Sequence, residues 1–195
     1  MSKNQALVIC ISGPSGVGKD TVITHLRRLH PDMWLSVSAT SRKPREREVD
    51  QKDYFFLTEE EFQRRIEAGE ILEYDRFCGA YYGTPRTAIE AKLAEGRDII
   101  MDITVKGALA IKDALPETVS IFLLPPDMET LGARLSARGT ETEEAIAARL
   151  AQAQSEIDKA PQFDHAVINR DLDQCVAEIE DIMHQEKSRR IADVN

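Results

Sequence analysis

The chain has 195 residues, 34 acidic and 25 basic side chains, and a formal net charge of −9 at pH 7. Its length allows one sizeable core and is short for two ordinary domains. The acidic balance argues against general nucleic-acid binding, and no apolar stretch approaches the length of a membrane span. Because the start is short and polar and the three cysteines are scattered, we expect a cytoplasmic protein without membrane or nucleic-acid partners.

A glycine-rich loop separates the first predicted strand from the first predicted helix. The apolar run over 6–11 predicts a buried strand, and helical spacing of apolar residues in TVITHLRRL predicts a helix. A glycine loop in this context turns amide groups onto phosphate oxygens, while a lysine and the helix start add positive charge. The loop therefore predicts a nucleoside triphosphate site that comprises Gly13, Pro14, Ser15, Gly16, Val17, Gly18, Lys19, Asp20 and Thr21.

Asp20 departs from the usual P-loop pattern, in which a serine or threonine hydroxyl at this position contacts Mg²⁺. A carboxylate is a good ligand for a hard cation. It also brings negative charge beside a polyphosphate. The motif therefore predicts binding of a nucleoside triphosphate with magnesium and leaves the metal geometry open.

A basic loop follows the next predicted strand, which spans 34–38. Arg42, Lys43, Arg45 and Arg47 crowd into the segment 38–48, and Pro44 disfavours a regular helix there. Such a charge run alone is typical of a solvated surface. Beside a phosphate-binding loop it favours recognition of a second phosphate, because planar guanidinium groups match phosphate oxygens.

The following segment alternates short strands and helices. A strand is predicted over 53–57, and Thr58 with Glu61 predicts a capping box for a helix that Gly69 ends. Two strands within 70–82 are predicted to turn at 79–80, and Thr84–Pro85 is predicted to cap and start a helix that runs to residue 96. Since the block 38–87 is rich in aromatic and charged residues, we expect an inserted substrate-binding subdomain.

An aliphatic pattern then resumes and continues to the end of the chain. Alternating strands and helices predict an α/β fold with a central parallel sheet covered on both faces. The predicted strands span 98–103, 119–124 and 165–169, and the predicted helices span 105–115, 128–139, 143–160 and 171–190.

Seven segments, in this order and at compatible spacing, resemble guanylate kinase, the P-loop enzyme that transfers a phosphoryl group from ATP to GMP. They are GPSGVGK, SVSATSRKPR, DYFF, ILEY, YYGT, MDI…KGA and RGTETEE. The resemblance implies a P-loop kinase three-layer fold in one domain over 1–195. It also implies a core (1–37, 88–136 and 147–195), a GMP-binding subdomain (38–87) and a mobile lid (137–146).

The resemblance also implies residues for GMP. Those expected at its phosphate are Arg42, Arg45, Tyr54 and Tyr82, and those expected at its guanine are Ser38, Glu73 and Thr84. A carboxylate at Glu73 can accept hydrogen bonds from guanine N1–H and the 2-amino group together. Adenine lacks both donors and would leave the carboxylate unpaired.

For ATP and catalysis, the resemblance implies that Arg134 contacts ATP, that Asn169 lies near the adenine, and that Asp102 and Asp20 hold Mg²⁺ partly through water. The residues expected to act in phosphoryl transfer are Lys19, Arg42, Arg138 and Arg149. The implied reaction is in-line transfer of the γ-phosphoryl of ATP to GMP, giving ADP and GDP. The acceptor is already an anion, so positioning and charge neutralisation suffice without a strong base.

Two departures keep alternatives open. Family members commonly have a second acid two residues after Asp102, where this chain has Thr104, which bears on guanine selectivity. Asp20 is similar to the P-loop of ribose 1,5-bisphosphate phosphokinase, so a sugar phosphate kinase is one alternative. An inactive protein-binding module is another, disfavoured because Gly18 and Lys19 are intact. A monomer and a homodimer are both compatible with the sequence.

Overall fold

Five parallel strands form the core sheet of the computed structural model, which describes residues 6–136 and 142–192. Its strands are β1 (Val8–Ser12), β2 (Trp34–Leu35), β7 (Ile99–Asp102), β8 (Val119–Leu124) and β9 (His165–Ile168). Their order in the sheet is β2-β7-β1-β8-β9. Because all the pairings are parallel, the loops that leave these strands meet at one edge of the sheet.

Helices cover both faces of the core sheet, and β1 shows the reason. Its five residues are all buried, and their side chains alternate between the two faces. Ile9 and Ile11 pack in a cluster with α1 (Lys19–Leu29) and α7 (Leu172–Ala192), whereas Val8 and Cys10 pack with α3 (Arg86–Ala94) and α4 (Val105–Ala114). A strand buried on both faces needs a continuous apolar run. The predicted α/β fold with a central parallel sheet is confirmed.

Two further helices pack against each other around a small apolar cluster of their own. They are α5 (Met128–Ser136) and α6 (Glu143–Ile157), and a 3-10 turn at Ala160–Gln162 follows them. Leu131, Leu135 and Ala153 are buried where the two helices meet. Within 6–136 and 142–192, no helix has both the length and the apolar character that crossing a membrane requires.

A second sheet draws its strands from the segment predicted as a substrate-binding subdomain. They are β3 (Ala39–Thr40), β4 (Phe55–Phe56), β5 (Ile71–Phe77) and β6 (Ala80–Pro85), in the order β4-β3-β6-β5. Thr58 caps helix α2 (Glu59–Glu67), because its hydroxyl accepts from the Glu61 amide at 3.1 Å, as predicted. The Glu61 carboxylate accepts from Arg64 and Arg65, so the other half of the predicted capping box is not formed. A small core of its own, with Phe62 fully buried, supports this sheet.

Two predicted strands are shorter in the structure, and one turn is displaced. The strand predicted over 34–38 ends at Leu35, and the chain then passes to the second sheet, whose first strand begins at Ala39. A turn with Gln51 in the left-handed region delays the strand predicted over 53–57 until Phe55. The β5–β6 hairpin turns at Cys78 and Gly79, one residue earlier than expected.

The predicted start of α3 is wrong in one respect. Strand β6 continues through Pro85, and the helix begins at Arg86 without a side-chain cap. Thr84 is buried in the strand, 3% exposed, and its hydroxyl donates to the Glu73 carboxylate at 2.8 Å. A Thr-Pro pair is typical of a helix start, but the pairing of β6 with β5 holds Thr84 in extended conformation instead.

Candidate active site

The P-loop follows β1 at the carboxyl edge of the core sheet. Gly18 ends the loop in the left-handed region, at φ 102°, immediately before α1. A Cβ atom there would lie 2.7 Å from the Asn169 amide nitrogen, and a Cβ at Gly13 would lie 2.5 Å from the Leu123 carbonyl oxygen. Side chains at these two positions would force the loop away from the sheet. The glycines therefore keep the loop close against its neighbours, with the amino end of α1 behind it.

Distant residues hold the middle of this loop in place. The Val17 carbonyl accepts from the Asn169 amide at 2.8 Å and from the Arg134 guanidinium at 3.1 Å. Arg134 also donates to the Asn169 carbonyl at 3.0 Å. Helix α5 and the residue after β9 thus fix one carbonyl of the P-loop. Lys19 folds back on the same loop and donates to the Gly13 carbonyl at 3.0 Å.

Two carboxyl groups lie together beside Lys19. The register of β1 on β7 sets Asp102 opposite Ile11, two residues before the P-loop begins at Gly13. Desolvation raises the pKa of Asp102 to about 6, the positive charge of Lys19 opposes the rise, and a hydrogen bond with the Asp20 side chain adds to it. The negative charge of Asp20 nearby therefore disfavours ionisation of Asp102. We call residues 13–21 with Asp102, Arg134 and Asn169 the donor side.

A partly buried carboxylate lies on the second sheet. Glu73, in β5, accepts from the Thr84 hydroxyl of the paired strand β6. Burial raises its pKa, and the Thr84 hydrogen bond opposes that rise. A Cβ on Gly107, in the first turns of α4, would lie 3.0 Å from the second carboxylate oxygen of Glu73. Gly107 thus makes room for this acid next to the amino end of a helix, where negative charge is favoured.

Arg42, in the basic loop, is surrounded by aromatic rings and by the carboxylate of Glu48. Its guanidinium carbon is 5.4 Å from the ring centre of Tyr54 and 5.8 Å from that of Phe56. The Tyr82 ring packs edge-on against Tyr54 at 6.0 Å. Two hydrogen bonds of 2.8 Å join the guanidinium to the Glu48 carboxylate. These bonds, with a further contribution from Tyr82, raise the pKa of Arg42.

The remaining residues predicted for GMP lie close to this cluster along the chain. Ser38 immediately precedes β3 and is half-buried, and the Arg45 side chain is exposed. The residues of the second sheet and basic loop predicted for GMP form what we call the acceptor side: Ser38, Arg42, Arg45, Tyr54, Glu73, Tyr82 and Thr84. In the parts of the chain that the structure describes, no hydrogen bond or ion pair joins the donor side to the acceptor side.

Comparison with known proteins identifies a family for this chain. The family model for guanylate kinase matches residues 5–186. A guanylate kinase of Synechococcus sp. (strain CC9311) is 44% identical over 174 residues, which cover 89% of this chain and 92% of that protein. A guanylate kinase of Symbiobacterium thermophilum is 45% identical over 190 residues, 97% of this chain and 90% of that protein. The chain belongs to the guanylate kinase family.

A solved structure agrees with the family match. The crystal structure of guanylate kinase from Anaplasma phagocytophilum is similar with a TM-score of 0.69 and 31% identity, covering 95% of this chain and 88% of that one. Guanylate kinases are ATP:GMP phosphotransferases, and this chain has that activity. The matches favour this activity over the two alternatives, a sugar phosphate kinase and an inactive binding module.

Part of the predicted guanylate kinase lid lies outside the described residues. Arg138 is among residues 137–141, so its predicted role at the transferring phosphoryl stays a prediction. The remainder of the lid segment, 142–146, opens α6, where the Thr142 hydroxyl accepts from the Ala145 amide at 3.3 Å. Arg149 lies one turn further along the same helix and is half-buried.

Sequence reasoning missed two features of this guanylate kinase. It did not single out Glu48. An acid six residues after Arg42 in a basic loop could have indicated an ion pair between the two side chains. It considered Thr104 only for base recognition. The structure makes Thr104 the N-cap of α4, because its hydroxyl accepts from the Gly107 amide at 3.1 Å.

Proposed function

We propose that the donor side binds ATP and that the acceptor side binds GMP, with the γ-phosphoryl transferred between them. The observation that supports this division best is Glu73. It is a partly buried acid on a separate sheet, and the Thr84 hydroxyl orients its carboxylate. A carboxylate held in this way serves a neutral ligand with two adjacent N–H donors, and guanine has such a pair.

On the donor side, the P-loop amides and the amino end of α1 bind the ATP phosphates. Lys19 leaves the Gly13 carbonyl and moves its ammonium group to the terminal phosphates. Arg134 and Asn169 act through the loop by holding the Val17 carbonyl, which keeps the amides in their binding orientation. We also assign Asn169 a place near the adenine, as the family resemblance implies.

Magnesium is the cofactor of the proposal. Asp20 and Asp102 supply hard oxygen donors, which suit a small divalent cation that keeps several waters and substrate phosphates as its other ligands. The described residues hold no cluster of three or more metal-ligating side chains, so the proposed ligation depends on this pair. Bound magnesium would neutralise negative charge on the transferring phosphates. It would also separate the two acids, which repel each other when both are ionised.

On the acceptor side, Glu73 accepts from guanine N1–H and the 2-amino group, while Thr84 and Ser38 complete the base pocket. Arg42, Arg45, Tyr54 and Tyr82 bind the GMP phosphate. Both substrates are polyanions, so arginines offset their repulsion during transfer. We assign that role to Arg42, Arg138 and Arg149 with Lys19. An arginine at a transferring phosphoryl group is worth about 10³ to 10⁵ in rate.

The proposal extends to the setting of the enzyme. Its partners are ATP and GMP as substrates, and it acts as a monomer or a homodimer in the cytoplasm. The cysteines support a reducing compartment, since Cys10, Cys78 and Cys175 are all free thiols.

A coupled assay of ADP release tests the proposed acceptor. Purified protein receives ATP and Mg²⁺ with GMP, dGMP, AMP or ribose 1,5-bisphosphate offered separately. We expect turnover with GMP and dGMP alone, because only they present the two donors that Glu73 pairs. Turnover confined to the sugar bisphosphate would overturn the proposal and make Asp20 the informative residue.

A further inference from the structure

Glu48 joins two parts of the basic loop through one carboxylate. Its two oxygens accept from the two terminal nitrogens of Arg42 at 2.8 Å each. One of those oxygens also accepts from the backbone amide of Arg45 at 2.7 Å, and the Glu48 amide donates back to the Arg45 carbonyl at 3.0 Å. A single side chain therefore fixes the guanidinium of one arginine and the backbone of the other.

The hydrogen bonds of Arg42 show which of its edges remains for a ligand. A guanidinium has five N–H donors. Nη1 donates to the Lys43 carbonyl at 2.8 Å and to Glu48, and Nη2 donates to Glu48. The end-on edge, Nη1 with Nη2, is thus occupied. On the side-on edge, which comprises Nε and Nη2, the Nε is buried without a hydrogen-bond partner, and the Tyr82 side chain makes a further hydrogen bond with the guanidinium.

An unpaired buried donor is costly unless a ligand satisfies it. The guanidinium cannot rotate to pair this nitrogen, since Glu48 holds it at two points and the rings of Tyr54 and Phe56 lie within cation–π distance. Glu48 itself is well shielded, with 19% of its side chain exposed, and Arg42 with Arg45 lowers its pKa to about 2. The pair is therefore fully ionised at neutral pH.

We propose that Glu48 is a positioning residue for the phosphoryl acceptor, holding Arg42 and Arg45 ready so that the side-on edge of Arg42 meets the phosphate of GMP. This inference rests on the proposed roles of the two arginines. The ordering of a long side chain and a loop is completed before the substrate arrives, and that ordering otherwise reduces affinity. Glu48 thus strengthens binding of an anion although it is itself an anion.

The direction in which GMP affinity changes on removal of Glu48 distinguishes a positioning role from a purely electrostatic one. If Glu48 acts only through its charge, its removal strengthens GMP binding, because one negative charge near the phosphate disappears. If it positions the arginines, its removal weakens GMP binding. Ordering one such side chain costs about 0.5 to 1.5 kcal/mol, so we expect GMP affinity to fall about twofold to twelvefold.

Calorimetric titration of GMP into the full-length enzyme measures this effect. Glu48→Gln removes the charge and keeps the shape, whereas Glu48→Asp keeps the charge and shortens the reach by one methylene. We expect both variants to weaken GMP binding and to leave the KM for ATP unchanged. Glu46→Gln is the matched control. It makes the same charge change in the same loop at an exposed acid without a described side-chain contact, and we expect wild-type affinity.

The second arm uses Arg42→Lys alone and combined with Glu48→Gln. Lysine cannot make the two-point contact, so Glu48→Gln should add little once Arg42 is replaced. Tighter GMP binding by Glu48→Gln, or wild-type affinity of Glu48→Asp, would overturn the positioning role. Wild-type GMP affinity of Arg42→Lys would instead show that the proposed acceptor side is wrong. Thermal melting of each variant sets a common temperature at which all are folded.

Discussion

The donor side and the acceptor side arrange their carboxylates in opposite ways. On the donor side, Asp20 and Asp102 lie against each other with Lys19 as their positive neighbour. On the acceptor side and in the basic loop beside it, each of two acids has a donor of its own: Glu73 accepts from Thr84, and Glu48 accepts from Arg42. The donor side thus keeps negative charge that a cation can satisfy, whereas each of these two acids of the second sheet and basic loop already has a hydrogen-bond donor within the protein.

The two sides also differ in what forms them. The phosphate loop relies on backbone groups, and its shape depends on contacts with α5 and with the residue after β9. The acceptor side relies on side chains carried by short strands with a small core. A backbone site tolerates many side chains provided that its glycines remain. A side-chain site can change its specificity through one substitution.

The largest expected effect is on the donor side. We expect Lys19→Met to lower kcat by about 10³-fold. Removing one preorganised hydrogen-bond donor to a charge that develops in the transition state lowers kcat by about 10²-fold to 10³-fold. GMP affinity, measured by calorimetry, should stay at the wild-type value. Lys159→Met, at an exposed lysine outside the site, is the control. An equal loss of GMP affinity in Lys19→Met would contradict the division into two sides.

A smaller effect is expected when Glu73 on the acceptor side is changed. Glu73→Gln removes a charge-assisted hydrogen bond worth about 1.5 to 3 kcal/mol, so kcat/KM for GMP should fall about tenfold to a hundredfold. The KM for ATP should not change. Glu67→Gln makes the same charge change at an exposed acid near the end of α2 and should behave as wild type. If the Glu73 variant keeps wild-type kcat/KM for GMP, Glu73 does not read the base.

The smallest effect concerns the acid pair and stability. The pKa of Asp102 is about 6 in the folded protein and 3.8 ordinarily, so the folded state binds this proton more tightly. The tighter binding of this proton stabilises the folded state fully below pH 3.8, and that stabilisation is lost as the pH rises to about 6. Asp102→Asn should remove this loss.

Urea unfolding in the presence of a chelator measures the free energy of unfolding of the wild type and of Asp102→Asn across that pH range. We expect the variant and the wild type to be similar in acid and the variant to be the more stable one at neutral pH. Asp113→Asn, at an exposed acid of α4, should follow the wild-type curve. Parallel curves for Asp102→Asn and the wild type would show that Asp102 carries no raised pKa.

The sequence predicted most of the core sheet and less of the second sheet, for a physical reason. Buried parallel strands need continuous apolar runs, and the residues of β1 and β8 form such runs. Strands β3 and β4 have only two residues each and exist through pairing with distant segments. Their length follows from where the chain changes sheets, which no local pattern records.

The same distinction applies to the site. The P-loop is contiguous, so its spacing alone predicts it. The bond from Asn169 to the Val17 carbonyl spans 152 residues, and only a family resemblance could place Asn169 near ATP. The Thr84–Pro85 pattern predicts a helix cap, and the family resemblance implies that Thr84 contacts the base. The pairing of β6 with β5 shows that Thr84 does not cap the helix.

The hairpin between β5 and β6 provides a natural attachment point for a spectroscopic label. Cys78 is exposed at its tip, whereas Cys10 and Cys175 are buried at 0% and 1% exposure. A maleimide dye will therefore react with the hairpin in the unmodified protein. Energy transfer from that dye to a labelled nucleotide on the P-loop would report the distance between the two sheets during turnover, without any engineered cysteine.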